Sequence, residues 1–193
     1  AQKSKVEECA QAVLDARHPH LERGVLDGQF QVGVIPGHRS SDALVYDELF
    51  GETMFLYCGA SHALFQAGPS VPEPVDWDGL RAHDFAGLGY HSPNMELSQQ
   101  VRLQRKASGY DQESIATLIL SGKFLGFLPD HYAQAFVAAG QMRALQPEVF
   151  RYNCSFFSIV RRSPPASRVT RAFQDCLRQA HGPAGALGTH TKD

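Results

Sequence analysis

The feature that most constrains this chain is the alternation of short apolar runs with segments of helical period. Phe30 to Ile35, Thr53 to Cys58, Phe124 to Leu128 and Phe156 to Val160 are runs of five or six residues, each bounded by glycine, proline or polar residues. Runs of that length, too short for buried helices, read as buried strands. Between them lie stretches whose apolar residues recur every three or four positions. Val6, Cys9, Ala10, Val13 and Leu14 form one such stripe, with Ser4 and Glu7 as a capping box. A short helix then carries Leu21, Val25 and Leu26, with Gly28 just beyond its end. Met95 to Lys106 reads as a polar helix with Leu97, Val101 and Leu103 inward. Asp111 caps a helix bearing Ile115, Leu118 and Ile119 that closes at Gly122, and another runs from His131 to Ala139. After Pro164-Pro165, the residues Val169, Phe173, Cys176 and Leu177 supply the inward stripe of a final helix. Strands alternating with helices predict an α/β fold with mostly parallel sheets.

Composition narrows the function classes. Across 193 residues, 43% are hydrophobic, enough for a packed core, and the net charge is −2. Gripping nucleic acid needs a clustered basic surface, and the longest basic cluster is Arg161-Arg162. The four cysteines, Cys9, Cys58, Cys154 and Cys176, form no CxxC pair and read as free thiols of a reducing compartment. No stretch is long and apolar enough to span a membrane, and the N-terminus lacks a signal pattern, so a cytoplasmic location is expected. The tail from residue 183 to 193 has no apolar period and is expected to be disordered.

Enzyme and metal signatures fail on inspection. Gly59-Ala60-Ser61-His62-Ala63 lacks the closing glycine of a nucleophile elbow. His18 and His20 have no helical partner at ligand spacing. The glycines flanking Lys123 lie between a helix and a strand, the wrong order for a phosphate loop. No catalytic residue, metal site or cofactor is expected.

Several motifs occur together in one order. Leu26-Asp27-Gly28-Gln29-Phe30-Gln31-Val32-Gly33-Val34 is followed by Leu44 to Leu64, which ends in Ser61-His62-Ala63-Leu64. Ile115 to Pro129 then forms a helix-turn-strand, and Ser158 to Leu177 a strand and helix. From about Val6 to Leu177 this series resembles the effector-binding domain of LysR-type transcriptional regulators. The family often has Asp where Gln31 stands and proline where Ala63 stands, and it carries a strand before its first helix and another after it, whereas the given sequence opens almost at that helix and only Pro19-His20 separates it from Leu21.

The resemblance implies two α/β lobes of the periplasmic-binding-protein type II kind, joined by two crossing hinge strands, Thr53–Cys58 and Phe156–Val160. Lobe I would comprise residues 1–57 and 157–182, and lobe II residues 58–156. A small-molecule effector would bind in the cleft between lobes. DNA would be reached only through an N-terminal helix-turn-helix outside this chain, and the partner would be a second copy, as a homodimer or tetramer. Ligands of α/β sheets sit beyond the carboxyl ends of strands and at helix N-termini. That rule selects Pro36 and His38 after one strand, the loop His91, Ser92 and Asn94 after another, and Gln112 and Ser114 at a helix start. Ser4, capping the first helix, matches a ligand-binding position of the family. Helix capping alone accounts equally well for Ser4, and an ordinary surface turn for His91 to Asn94. The competing readings are a solute-binding protein of a transporter and an enzyme on the same two-lobed scaffold.

Overall fold

The computed structural model describes residues 18–37, 40–66, 76–90 and 92–181. The expected first helix, including Ser4, and the tail beyond residue 182 lie outside these. The chain divides into two compact units: one of residues 1–51 and 155–193, the other of residues 52–154.

In the first unit, helix α1 (His18–Leu26) precedes strand β1 (Gly33–Pro36). Gly28 sits just past the helix end with φ +77°, a left-handed conformation that side chains resist. Its N–H closes the last turn on the Val25 carbonyl at 3.2 Å. β1 pairs antiparallel with β7 (Arg151–Arg161), Gly33 opposite Ile159 and Pro36 opposite Phe156. β7 in turn neighbours β2 (Leu44–Gly59). One face of this sheet packs on α1 through Val25, Ile35, Leu44 and Ile159, none more than 1% exposed. The final helix, α7 (Arg168–His181), covers part of the other face, where Arg178 pairs with Asp47 of β2. Its apolar stripe does not point inward: Val169 is 80% exposed and Phe173 53%, while its buried residues are Thr170 and Gln174.

The second unit holds two short helices, α2 (Ala63–Gln66) and α3 (Trp77–Leu80), and then the sequence β3 (Asp84–Leu88), α4 (Pro93–Gln100), β4 (Gln104–Gly109), α5 (Gln112–Leu120), β5 (Leu125–Pro129), α6 (Asp130–Ala138) and β6 (Met142–Ala144). Here the strand order is β2-β5-β3-β4, with β6 also on β2. β3 pairs parallel with both β4 and β5, the pattern expected where a helix carries the chain back between strands. The pairings of β2 with β5 and β6 are antiparallel, so the sheet is mixed. Ile115 and Ile119 of α5, Leu128 of β5, Leu88 of β3 and Met142 of β6 pack into one core. Gly59 ends β2 against α5, where a Cβ would lie 2.2 Å from the Ile119 carbonyl oxygen.

Three expectations change. The segment read as one helix to Lys106 ends at Gln100. Arg102 then takes φ 58°, and residues 104–109 form β4. β4 exposes most of its side chains at the sheet edge and so shows no apolar alternation. The two strands read as short runs extend to 16 and 11 residues. Their additional halves interleave buried Leu44, Leu49 and Cys154 with exposed or charged positions, so no unbroken apolar run marks them. The inward stripe assigned to the final helix faces outward.

Candidate functional site

In the second unit, β3, β4 and β5 run parallel and are followed by α4, α5 and α6. The N-termini of all three helices therefore fall at the same carboxyl edge of the sheet. β2 runs antiparallel to β5, pairing Met54 with Pro129, which brings the start of its unit-2 half to that edge.

Each helix start is built locally. Ser92 caps α4: its Oγ accepts from the Met95 N–H at 3.4 Å and donates to the Tyr90 carbonyl at 3.2 Å. Asn94 follows, 2% exposed, its Oδ1 accepting from the Leu88 N–H at 3.1 Å. Its side chain is also hydrogen-bonded to the hydroxyl of Tyr152. Asp111 caps α5, accepting from the Ser114 N–H at 2.7 Å and its Oγ at 2.6 Å. Those bonds hold the Asp111 carboxyl below its ordinary range. Beside it, Oε1 of Gln112 is buried without a hydrogen-bond partner, an arrangement that costs free energy unless something arrives to donate to it.

The surrounding groups share this environment. Burial raises the Tyr152 hydroxyl, and raises Tyr90, which also feels Cys154 and Asp111. Burial raises the Cys154 thiol to about 11, with Glu52 adding to the effect. Glu52 is raised by desolvation, partly offset by His131, whose Nε2 lies 3.8 Å from Oε1. Tyr57 is pushed to about 12, first by burial and then by Asp130. The edge thus combines hydroxyls, amides and carboxylates over an apolar floor. It can accept hydrogen bonds from a small polar molecule. Among the described residues no group of three or more His, Cys, Asp or Glu is placed to hold a metal ion.

The residues selected from sequence separate accordingly. Ser92, Asn94, Gln112 and Ser114 lie at this edge, the first two buried. Ser92 and Ser114 each spend hydrogen-bonding capacity on a cap. Pro36 ends β1 in the other unit. Ser4, His38 and His91 lie outside the described residues. Sequence reasoning passed over Glu52, Tyr90, Tyr152 and Cys154 as site residues. Tyr152 and Cys154 fall in the half of β7 that carries no apolar run, and Glu52 precedes the run in β2, so no local pattern marked them.

Comparison with known proteins bears on the family and the fold. The model of the LysR substrate binding domain family matches residues 12–182. The HTH-type transcriptional activator BauR of Pseudomonas aeruginosa is 36% identical over 157 residues, covering 81% of this chain and 50% of that protein. The chain therefore spans about half the length of that relative. The regulatory domain of Synechocystis CcmR, solved in complex with 2-PG, superposes with a TM-score of 0.70 at 12% identity, covering 90% of this chain and 83% of the other. The effector binding domain of QuiR in complex with shikimate gives 0.68 at 10% identity, covering 86% and 78%. Full-length HypT from Salmonella typhimurium gives 0.64 at 13%, covering 86% and 57%.

Proposed function

The chain belongs to the LysR substrate binding domain family, and from that premise we propose that it senses a small polar effector for a DNA-binding transcriptional regulator. The effector is bound at the carboxyl edge of the second unit's sheet by Asn94 and Gln112, which the sequence singled out, together with Glu52, Tyr90 and Tyr152. The observation that carries this reading is the Gln112 Oε1, a buried acceptor with no partner at the start of α5, on the same sheet edge as the start of α4 that holds Asn94. An acceptor left empty at a polar sheet edge favours a ligand that donates. The carboxylates of Glu52, Asp111 and Glu113 bias the edge the same way, toward a molecule presenting O–H or N–H groups rather than a bare anion. Ser92 and Ser114 remain proposed contributors through their places at helix starts, and Pro36, Ser4, His38 and His91 through the sequence pattern that selected them.

The role is recognition, not catalysis, carried out in the cytoplasm. The family match and the BauR relationship favour it over a transporter's solute-binding protein. No helix among the described residues is long and apolar enough to cross a membrane. Coupling to transcription would run through population shift between conformations that bind the effector unequally. DNA contact would come from a helix-turn-helix outside this chain, as the name of BauR states for that protein, and the working unit would be a dimer or tetramer.

The test is a thermal-shift screen of polar metabolites on the purified chain, followed by titration of any hit against Gln112→Ala. Loss of one hydrogen bond is expected to weaken binding by about 0.5–1.5 kcal/mol with the fold intact. A hit whose affinity is the same for Gln112→Ala and the parent places the ligand elsewhere.

A further inference from the structure

β1 and β7 are antiparallel, so the start of β1 lies beside the end of β7. The residues after Gly28 lead into β1, and α7 begins shortly after β7 ends. These three chain ends enclose a surface pocket of about 210 Å³. Its lining comes from residues between 28 and 31 and between 160 and 170, all in the first unit. None of them belongs to the effector site proposed above.

Most of the lining is apolar, with buried Val160, half-buried Phe30 and Pro165 among it. Phe30 is held in place. Its N–H donates to the Gly24 carbonyl at 3.0 Å, and its ring lies where a Cβ on Gly24 would come within 2.3 Å. Arg161 is the charged member of the lining. Its guanidinium lies over Gly28, where a Cβ would stand 3.2 Å from both terminal nitrogens. A guanidinium has five N–H donors in a fixed fork, yet the bond Arg161 makes is one of 3.4 Å, from Nη1 to the Leu26 carbonyl. Asp27, the carboxylate next to Gly28, pairs with Arg23 instead. Among the described residues no carboxylate pairs with Arg161. Gln31 stands at the rim where the family often has Asp, so the lining holds no acid. On the α7 side, Ser167 Oγ accepts from the Thr170 N–H at 3.1 Å, and the two hydroxyls lie 2.8 Å apart. That contact uses one of their two protons, which leaves one O–H to donate.

We propose that this pocket is a second ligand site, which takes a small monocarboxylate with an apolar body. The Arg161 fork matches a carboxylate in two parallel bonds, and the spare hydroxyl and the Gln31 amide add donors. The amino end of α7 adds a favourable dipole to a site that the guanidinium already defines. The apolar walls select against a bare inorganic anion, which would leave them wet. An apolar cavity of about 150 Å³ takes a benzene ring, so this pocket suits a body of about five or six carbons.

Hexanoate is the probe, titrated into the purified ¹⁵N-labelled chain and followed by NMR. The amide signals of Gly28, Gln31, Ala166 and Thr170 should shift saturably with a Kd on the order of 1 mM. Hexanol should shift them far less, and inorganic phosphate should not displace hexanoate. Arg161→Gln should weaken hexanoate about ten-fold, through loss of a charge-assisted pair. Arg161 also bonds Leu26, so a second variant guards against misfolding. Gln31 is exposed, and Gln31→Asp places a carboxylate at the rim without disturbing the core. It should weaken hexanoate several-fold and leave hexanol unchanged. Hexanol binding as tightly as hexanoate, or phosphate displacing it, would overturn the proposal. So would hexanoate affinity unchanged in either variant that folds, or no saturable shift up to about 10 mM.

Discussion

At the scale of single residues, the site is a set of groups held out of their ordinary state. Glu52 shows this most directly. Desolvation raises its folded pKa above the ordinary 4.5, and His131 offsets part of that. The folded chain therefore binds this proton more tightly than the unfolded chain. The resulting stability is complete below the unfolded value and is lost as pH rises through the folded one. Near neutrality the carboxylate burdens the fold. Glu52→Gln should raise the melting temperature at pH 7 and change it little at pH 4, as differential scanning calorimetry would read. If the two pH values give the same change, burial of charge is not the cause. The same substitution should weaken binding of a ligand with N–H donors, the usual exchange of stability for function. Asn94 carries a different burden. It satisfies the Leu88 N–H inside the protein, so Asn94→Ala should cost about 1–3 kcal/mol of stability in urea unfolding, leaving that donor unpaired.

At the scale of elements, close approach matters more than composition. Gly59 lets the end of β2 meet the end of α5. Gly59→Ala would force backbone apart at a position with no flexible side chain to yield. A loss of about 1–3 kcal/mol is expected, and a variant as stable as the parent would show that α5 slides freely. Helix starts were well marked in the sequence, because a cap is a local device: Asp111 and Ser114 are three residues apart and bond each other. The central runs of β2, β5 and β7 were visible as apolar blocks for a similar reason. β4 and β6 were not visible. β4 owes its form to pairing with β3 and β6 to pairing with β2, partners 20 or more residues distant, and neither carries a period of its own. The candidate site divides along the same line. Asn94 and Gln112 stood out because they sit at helix starts, whereas Tyr152 meets Asn94 only through the fold. The stripe of α7 was read correctly as a stripe and wrongly as buried, since periodicity reports that a helix has two faces and not which one is covered.

At the scale of the whole molecule, charge sets what this chain does alone. With a net charge of −2 it has no basic field to draw in a phosphate backbone. Fluorescence anisotropy with a labelled duplex at moderate salt should show no saturable binding by the isolated chain. Sequence-selective binding there would mean that the DNA-reading surface lies within these residues. Most of the two-unit architecture follows from long-range pairing rather than from any local signal. What the sequence announced was the order of elements, through motifs that the family match then bore out.

The second unit is one uninterrupted stretch, residues 52–154, whereas the first is assembled from both ends of the chain. The stretch begins and ends on neighbouring strands, and Thr53 Oγ1 donates to Asn153 Oδ1 across them at 3.2 Å. In the gene, then, Glu52, Tyr90, Asn94, Gln112, Tyr152 and Cys154 occupy a single cassette with adjoining ends. A crossover pair near codons 52 and 154 would transplant these candidate residues together between relatives, leaving the Val25–Ile35–Leu44–Ile159 core untouched. Under the proposed function, effector preference would be inherited as one block, on a schedule separate from the residues on either side of it in the gene.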